Sequence, residues 1–270
     1  MHTINFNNYD HNFCESSIYS PYSHPEYMNS VSSLFITFIG LNGLTKPYLN
    51  FQLIILYSAL TVNGITSCIY HYCNSIGWGL LDRMSMIIIA MASMNLLINN
   101  INYFLIHDRY KYINLINRTI NIMVVSYFTF LFTISGLHNE TLFNILFGLY
   151  LFSLLIYILL INKNYNKLDI PYNIVVLGNK GIIYIIVSGF FWIITENLCD
   201  KLFFIKYLFG HVFWHLFVSY GGYLVSLIFC YTYMQETQHK SMQSIIINYD
   251  YFNIPYLVFD NKNNIHVSRV

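Results

Sequence analysis

Two histidines near the end of the chain, His211 and His215, stand at the start of a long apolar run. Residues four apart share one face of a helix, so both imidazoles can reach one point. Helical histidines bind metal ions at this spacing, although the same pair also occurs as polar residues at the end of an ordinary aromatic-rich helix. A metal site therefore needs a further ligand from elsewhere in the chain.

A second polar group, consisting of Ser67, His71 and Asp82, lies far upstream. Three neutral imidazoles with one open position form the ligand set of a catalytic zinc ion, so His71 could complete a site with the C-terminal pair. Zinc lowers the pKa of a bound water to about 7, and Asp82 could move the proton from that water to a leaving amine. Ser67, one helical turn before His71, could stabilise an oxyanion. This chemistry suits hydrolysis of an amide or ester, although Asp82 could instead cap a helix beside Arg83.

The composition indicates a membrane protein. Of the 270 residues, 56% are hydrophobic and only 9% are charged, whereas about a quarter are charged in soluble domains. The mean hydropathy is +0.49, and the net charge of +1 suggests no nucleic-acid partner. The five cysteines follow no CxxC pattern, which speaks against a zinc or redox motif built from them.

Apolar segments along the chain predict an all-α bundle of seven transmembrane helices, because each segment is close to the ~20 residues needed to cross the hydrocarbon core. Their approximate bounds are 28–44, 49–71, 80–97, 120–137, 142–161, 173–194 and 208–233. The chain accordingly divides into an N-terminal tail (1–27), a seven-helix domain (28–234) and a C-terminal tail (235–270). The last of these is polar, and we expect it to be mobile.

Lysine and arginine residues are distributed unevenly over the two sets of loops that seven helices create. Ten of the thirteen fall on the set that includes the C-terminal tail. The excess of positive charge on cytosolic loops predicts a lumenal or extracellular N-terminus and a cytosolic C-terminus. His71, Asp82 and the pair at His211 and His215 then all lie near the lumenal interface, where ionisable groups in membrane helices are candidates for function.

The N-terminal tail suggests a different ion. Glu15 and Glu26, with Asn12, Ser17 and backbone carbonyls, offer oxygen ligands only, and such a set suits calcium rather than zinc. Two solvated acids in a loop would produce the same pattern.

These residues resemble the signature of the alkaline ceramidases, which are seven-transmembrane hydrolases related to the progestin/adipoQ receptors. The N-terminal part of the match is Asn12-Phe13-Cys14-Glu15 followed by Glu26. The second part is Ser67-x(3)-His71-x(10)-Asp82 together with His211-x(3)-His215. The resemblance extends from about Asn12 to Tyr233, and the combination of motifs is more specific than any one of them.

The resemblance implies a monomeric enzyme of the endoplasmic reticulum or Golgi membrane that cleaves the amide bond of ceramide or a related sphingolipid. It implies zinc on His71, His211 and His215, proton transfer by Asp82 and oxyanion stabilisation by Ser67. It also implies a structural calcium ion held by Asn12, Phe13 (through its backbone carbonyl), Glu15, Ser17 and Glu26. A disulfide between Cys14 and Cys199 would tie the N-terminal tail to the loop before the seventh helix.

Several residues depart from the pattern of this family, and none of the departures removes a proposed zinc ligand. Asn12, Phe13 and Ser17 stand where the family has Asp, Trp and Asn, which weakens the expected calcium site. Arg83 replaces an acidic residue, and Thr195 replaces an Asp, with Glu196 one place further on. Three alternatives stay open: a lipid-sensing receptor of the progestin/adipoQ type, a GPI or lipid-remodelling esterase, and an inactive relative of the ceramidases.

Overall fold

The chain folds almost entirely into helices. The computed structural model describes residues 13–19, 25–47, 49–106, 130, 133, 140–166, 168–199, 201–202, 204–237 and 244–260. Its helices are α1 (Ser16–Tyr19), α2 (Tyr27–Leu44), α3 (Phe51–Cys73), α4 (Ile76–Ile106), α5 (Glu140–Asn164), α6 (Tyr172–Leu198) and α7 (Gly210–Thr237). A 3₁₀ turn, Ile205–Leu208, precedes α7, and an antiparallel hairpin of β1 (Ile245–Tyr249) and β2 (Pro255–Phe259) follows it.

Five of these helices are long and apolar enough to cross a membrane. The candidate spans are Phe51–Cys73, Ile76–Asn100, Thr141–Asn164, Tyr172–Leu198 and Ile205–Gln235. The prediction of a helical membrane protein is therefore confirmed, whereas the count of seven spans is met only in part. Helix α2 has 18 residues and is not among the five, and the predicted segment 120–137 falls almost wholly outside the described residues.

A sharp turn between α3 and α4 brings two candidate site residues to the same end of the bundle. Asn74 ends α3 in the left-handed conformation (φ 45°), and its N–H donates to the carbonyl of Tyr70. Asparagine adopts this conformation more readily than most residues because its short polar side chain can bond locally. His71 in the last turn of α3 and Asp82 in the second turn of α4 are consequently neighbours in space as well as in sequence.

The described helices α2 to α7 form a ring in which each contacts the next and α7 returns to α2. Helices α6 and α7 approach each other closely. A Cβ atom added to Gly181 would lie 2.6 Å from the carbonyl oxygen of Gly221, and one added to Gly221 would lie equally close to the Gly181 carbonyl. Small residues allow such backbone contact between membrane helices. The ring encloses the cavity described below.

The hairpin closes the end of the bundle opposite the histidines. Asp250 accepts from Lys46 Nζ at 2.5 Å and from Asn42 Nδ2 at 2.7 Å, and Tyr223 donates to the carbonyl of Pro255 at 2.8 Å. Burial would raise the pKa of Asp250, but the Lys46 ammonium together with the hydrogen bonds from Asn42 and the Ile254 N–H holds the pKa at about 2. The expectation of a mobile tail after Gln235 was thus wrong for residues 244–260.

Candidate metal centre

The three predicted histidine ligands meet at one point. His71, His211 and His215 are all buried, and a nitrogen from each lies within 4.8 Å of the others. His71 comes from the end of α3, whereas His211 and His215 occupy successive turns at the start of α7. Three imidazole nitrogens converging from two helices fit the ligand set of a catalytic zinc ion.

Two of the imidazoles are oriented by hydrogen bonds at Nδ1. His71 Nδ1 lies 2.6 Å from Glu26 Oε2, and His215 Nδ1 lies 2.8 Å from Ser32 Oγ. Ser32 donates its own proton to the carbonyl of Asn29, so its oxygen is left to accept from the histidine. Both rings therefore carry their proton on Nδ1 and keep Nε2 as the free donor atom, which is the arrangement found around metal-binding histidines.

The third imidazole faces a carboxylate at a longer distance. Nδ1 of His211 lies 3.5 Å from Oε1 of Glu196, at the end of α6. Gly210 makes this approach possible, because a Cβ atom there would lie 2.3 Å from Thr195 Oγ1. The first turn of α7 therefore packs directly against the last turns of α6.

Asp82 and Ser67 line the same cavity as the histidines but belong to a separate polar chain. Ser67 is hydrogen-bonded to the Asp82 carboxylate, and Asn63 Nδ2 donates to Asp82 Oδ1 at 2.9 Å. Ser33 donates to Ser67 Oγ at 3.0 Å. These contacts fix the carboxylate and the hydroxyl relative to each other beside the histidines, so that a base and a hydroxyl face the site together.

An apolar cavity of about 310 Å³ extends from this site into the bundle. Phe147, Tyr150 and Trp214 are among its walls, and along α7 it reaches from His211 to Phe229. Eighteen residues of helix correspond to about 27 Å at 1.5 Å per residue. The cavity is therefore large, long and apolar enough for an alkyl chain, and its polar groups are concentrated at the end that carries the histidines.

The N-terminal segment covers the histidines. The Phe13 ring lies 4.9 Å from the ring of His71 and 4.5 Å from that of His211, measured between centroids. Cys14 and Cys199 are joined by a disulfide, with Cα atoms 5.6 Å apart. The segment thus forms a lid over the site, attached to the end of α6.

The described residues do not fit the expected calcium site. All four carboxylate oxygens of Glu15 and Glu26 accept hydrogen bonds: Glu15 from the N–H groups of Met28 and Asn29, and Glu26 from Phe13 N, Ser16 Oγ, His71 Nδ1 and Asn29 Nδ2. The Phe13 carbonyl accepts from Ser16 N. Calcium needs six to eight oxygen ligands, and here N–H and O–H donors point at the oxygens that would supply them. Asn12 and the side chain of Ser17 lie outside the described part of the chain.

Both glutamates have structural roles in the described part of the chain. Glu15 caps the N-terminus of α2, a position that favours a negative charge. Burial raises the pKa of Glu15, and the two N–H groups offset part of this rise. Burial would also raise the pKa of Glu26, but the hydrogen bonds from His71 and Ser16 and the nearby histidine charges together hold the pKa below its usual value. Glu26 is therefore an anionic partner for His71.

Sequence reasoning missed Ser32 and Asn63 as parts of this site, and it noted Glu196 only as the residue beside a departure from the family pattern. Asn63 could have been found, because it precedes Ser67 and His71 by one and two turns on the same face of α3. Serines are frequent in the first half of α2, and this is a weaker signal. Glu196 is a carboxylate within an apolar segment, but nothing in the spacing links it to His211.

A family profile described as Ceramidase matches residues 8–258. No curated protein matches the chain. The match covers both histidine motifs, the N-terminal lid and all but the last residue of the hairpin.

Proposed function

Because the chain belongs to the ceramidase family, we propose that it is a zinc-dependent amidohydrolase that cleaves ceramide to sphingosine and a fatty acid. Membership supports a membrane hydrolase acting on amide bonds. The observation that carries the proposal further is the meeting of three buried histidines, a carboxylate and a hydroxyl at the polar end of one apolar cavity. A receptor of the progestin/adipoQ type shares a similar set of serine, histidine and aspartate residues, so the family match is what favours the hydrolase.

His71, His211 and His215 would hold the metal through Nε2, with Glu26 and Ser32 fixing the tautomers of two of them. Zinc bound there would act as a Lewis acid that activates water for attack. Ceramide would enter from the bilayer, with an alkyl chain along α7 and its amide at the histidine end. The apolar walls exclude bulk water, which strengthens the electrostatic interactions at the site.

Asp82 moves the proton. The carboxylate accepts a proton from the attacking water as the water oxygen bonds to the amide carbon, and it returns that proton to nitrogen as the C–N bond breaks. The products are a carboxylic acid and an amine, so atoms and charges balance. Ser67 donates its hydroxyl proton to Asp82 in the resting site. Once Asp82 is protonated, that hydroxyl is free to donate to the oxygen that gains negative charge.

We further propose seven spans, with α2 and a helix at about 120–137 added to the five candidates, and a lumenal N-terminus. The Cys14–Cys199 pair supports this orientation, because disulfides persist in oxidising compartments such as the lumen of the endoplasmic reticulum or Golgi. Labelling of single cysteines in sealed microsomes tests it. Labelling of Lys201→Cys, at an exposed position close to Cys199, by an impermeant reagent added from the cytosolic side contradicts the proposed topology.

The test of function is release of sphingosine from labelled ceramide by the purified full-length protein in lipid vesicles. We expect turnover that stops when zinc is removed with a chelator and returns when zinc is restored. Removing calcium while free zinc is held constant by a buffer should leave the rate unchanged, because the oxygens of Glu15 and Glu26 already accept protein donors.

Different failures of this assay have different meanings. Turnover that survives removal of zinc contradicts the metal mechanism. Hydrolysis of O-acyl lipid esters without hydrolysis of ceramide favours a lipid-remodelling esterase. Turnover that requires calcium contradicts the roles given to the two glutamates.

A further inference from the structure

Glu196 joins two parts of the site that no motif connects. Its side chain is 19% exposed, and Oε2 accepts from the backbone N–H of Cys14 at 2.9 Å. Its other oxygen, Oε1, is buried and faces Nδ1 of His211 at 3.5 Å. One carboxylate therefore touches the N-terminal lid and stands beside a metal ligand.

Neither atom of the Glu196–His211 pair has another hydrogen-bond partner among the described residues. Burying a polar atom without a hydrogen-bond partner is unfavourable, so the two side chains gain by moving closer together. The gap of 3.5 Å is only a few tenths of an ångström beyond a normal N–H···O distance, and a small side-chain rotation removes it. The other two histidines already have such a partner at Nδ1, namely Glu26 for His71 and Ser32 for His215.

The geometry points to Glu196 as a positioning residue that holds His211 with its proton on Nδ1 and its Nε2 directed towards the other two histidines. This inference rests on the proposed zinc site and adds a residue to it. Glu196 completes a set in which every histidine has its own oxygen partner. It acts on zinc through His211, without touching the substrate.

The second oxygen of Glu196 explains why a carboxylate is needed there. Two acceptor oxygens serve two N–H groups, those of Cys14 and His211. A glutamine has one acceptor oxygen, and its NH₂ group would face one of the two donors. The disulfide from Cys199, three residues further along, keeps the Cys14 N–H in place. Glu196→Gln is therefore expected to disturb His211 although the shapes of the two side chains are nearly identical.

Zinc affinity is the readout that separates positioning from general structural support. We expect Glu196→Gln and Glu196→Ala to lower zinc affinity by about 10- to 100-fold, as is usual when the outer partner of a metal-binding histidine is lost. Competition with a chromophoric chelator measures the affinity of the purified protein. The visible absorption spectrum of the cobalt-substituted protein reports directly on ligand geometry and should change as well. Asn197→Ala, at the exposed next position, is the matched control and should match wild type.

Two more variants decide how Glu196 acts. Glu196→Asp keeps the charge and should retain part of the affinity. The double variant Cys14→Ser/Cys199→Ser loosens the lid without altering Glu196 and should bind zinc more tightly than Glu196→Gln does. Equal losses in the double variant and in Glu196→Gln would mean that Glu196 only anchors the lid, which overturns the inference. Wild-type zinc affinity and an unchanged cobalt spectrum in Glu196→Gln overturn it too. Failure of the wild-type protein itself to bind zinc counts against the proposed function instead.

Discussion

The His215→Ala protein should purify without stoichiometric zinc and should hydrolyse ceramide at least about 10³-fold more slowly than wild type. A loss of 10³ corresponds to about 4 kcal/mol of transition-state stabilisation, which lies within the several kcal/mol that a catalytic metal supplies. His215 is one of only three converging ligands, and its ring lies 4.7 Å from that of His211 and 5.2 Å from that of His71. Two remaining imidazoles are too few for a stable zinc site.

Metal analysis and a ceramide assay on the same sample make this test specific. Zinc-depleted wild type is the matched control, because it lacks the metal but keeps every side chain. We expect the variant and the depleted protein to have similar thermal unfolding temperatures, and only the depleted wild type should recover activity when zinc is added. A variant that retains full zinc or near-normal turnover would show that His215 is a buried structural histidine.

The histidine cluster could be predicted from the spacing of its residues and from the distribution of charge along the chain. The spacing of His211 and His215 fixes their common face, and the distribution of positive charge places His71 at the same membrane surface. The partners of these histidines could not be predicted in the same way. Ser32 and His215 are 183 residues apart in sequence, and their contact depends on how α2 and α7 are rotated about their own axes. A hydropathy pattern does not specify that rotation.

The calcium prediction shows a second limit. Counting carboxylates in the N-terminal tail drew attention to Glu15 and Glu26, but it could not show which donors their oxygens accept from. Backbone N–H groups at the start of α2 and the imidazole of His71 occupy them. A sequence lists acceptors, whereas the balance of donors and acceptors around a carboxylate appears only after folding.

Prediction of the fold from the sequence was limited in a similar way. Long apolar runs predicted helices reliably, since a run of about 20 residues has few other solutions. The hairpin at 245–259 was missed because five-residue apolar runs do not distinguish strand from helix or loop. The contact between Asp250 of the hairpin and Lys46 joins residues 204 positions apart, and no local sequence pattern indicates such a contact.

Asp82→Asn should separate the base from the metal, leaving zinc content unchanged while lowering the rate constant for ceramide hydrolysis by about 10²- to 10⁴-fold. Asparagine has almost the same shape and can still accept from Asn63, but it cannot take a proton from water.

Ser67→Ala should lower the rate constant for ceramide hydrolysis by a smaller factor, about 10- to 100-fold. It removes one donor to the developing oxyanion, while Asp82 still carries the proton. Stopped assays at saturating ceramide, paired with metal analysis, measure both variants.

If Asp82→Asn loses its zinc, the carboxylate is needed to build the metal site, and the assignment of Asp82 as the base is unsupported. If it retains zinc and turns over within tenfold of wild type, another group moves the proton, and the chain of Ser33, Ser67 and Asp82 is structural.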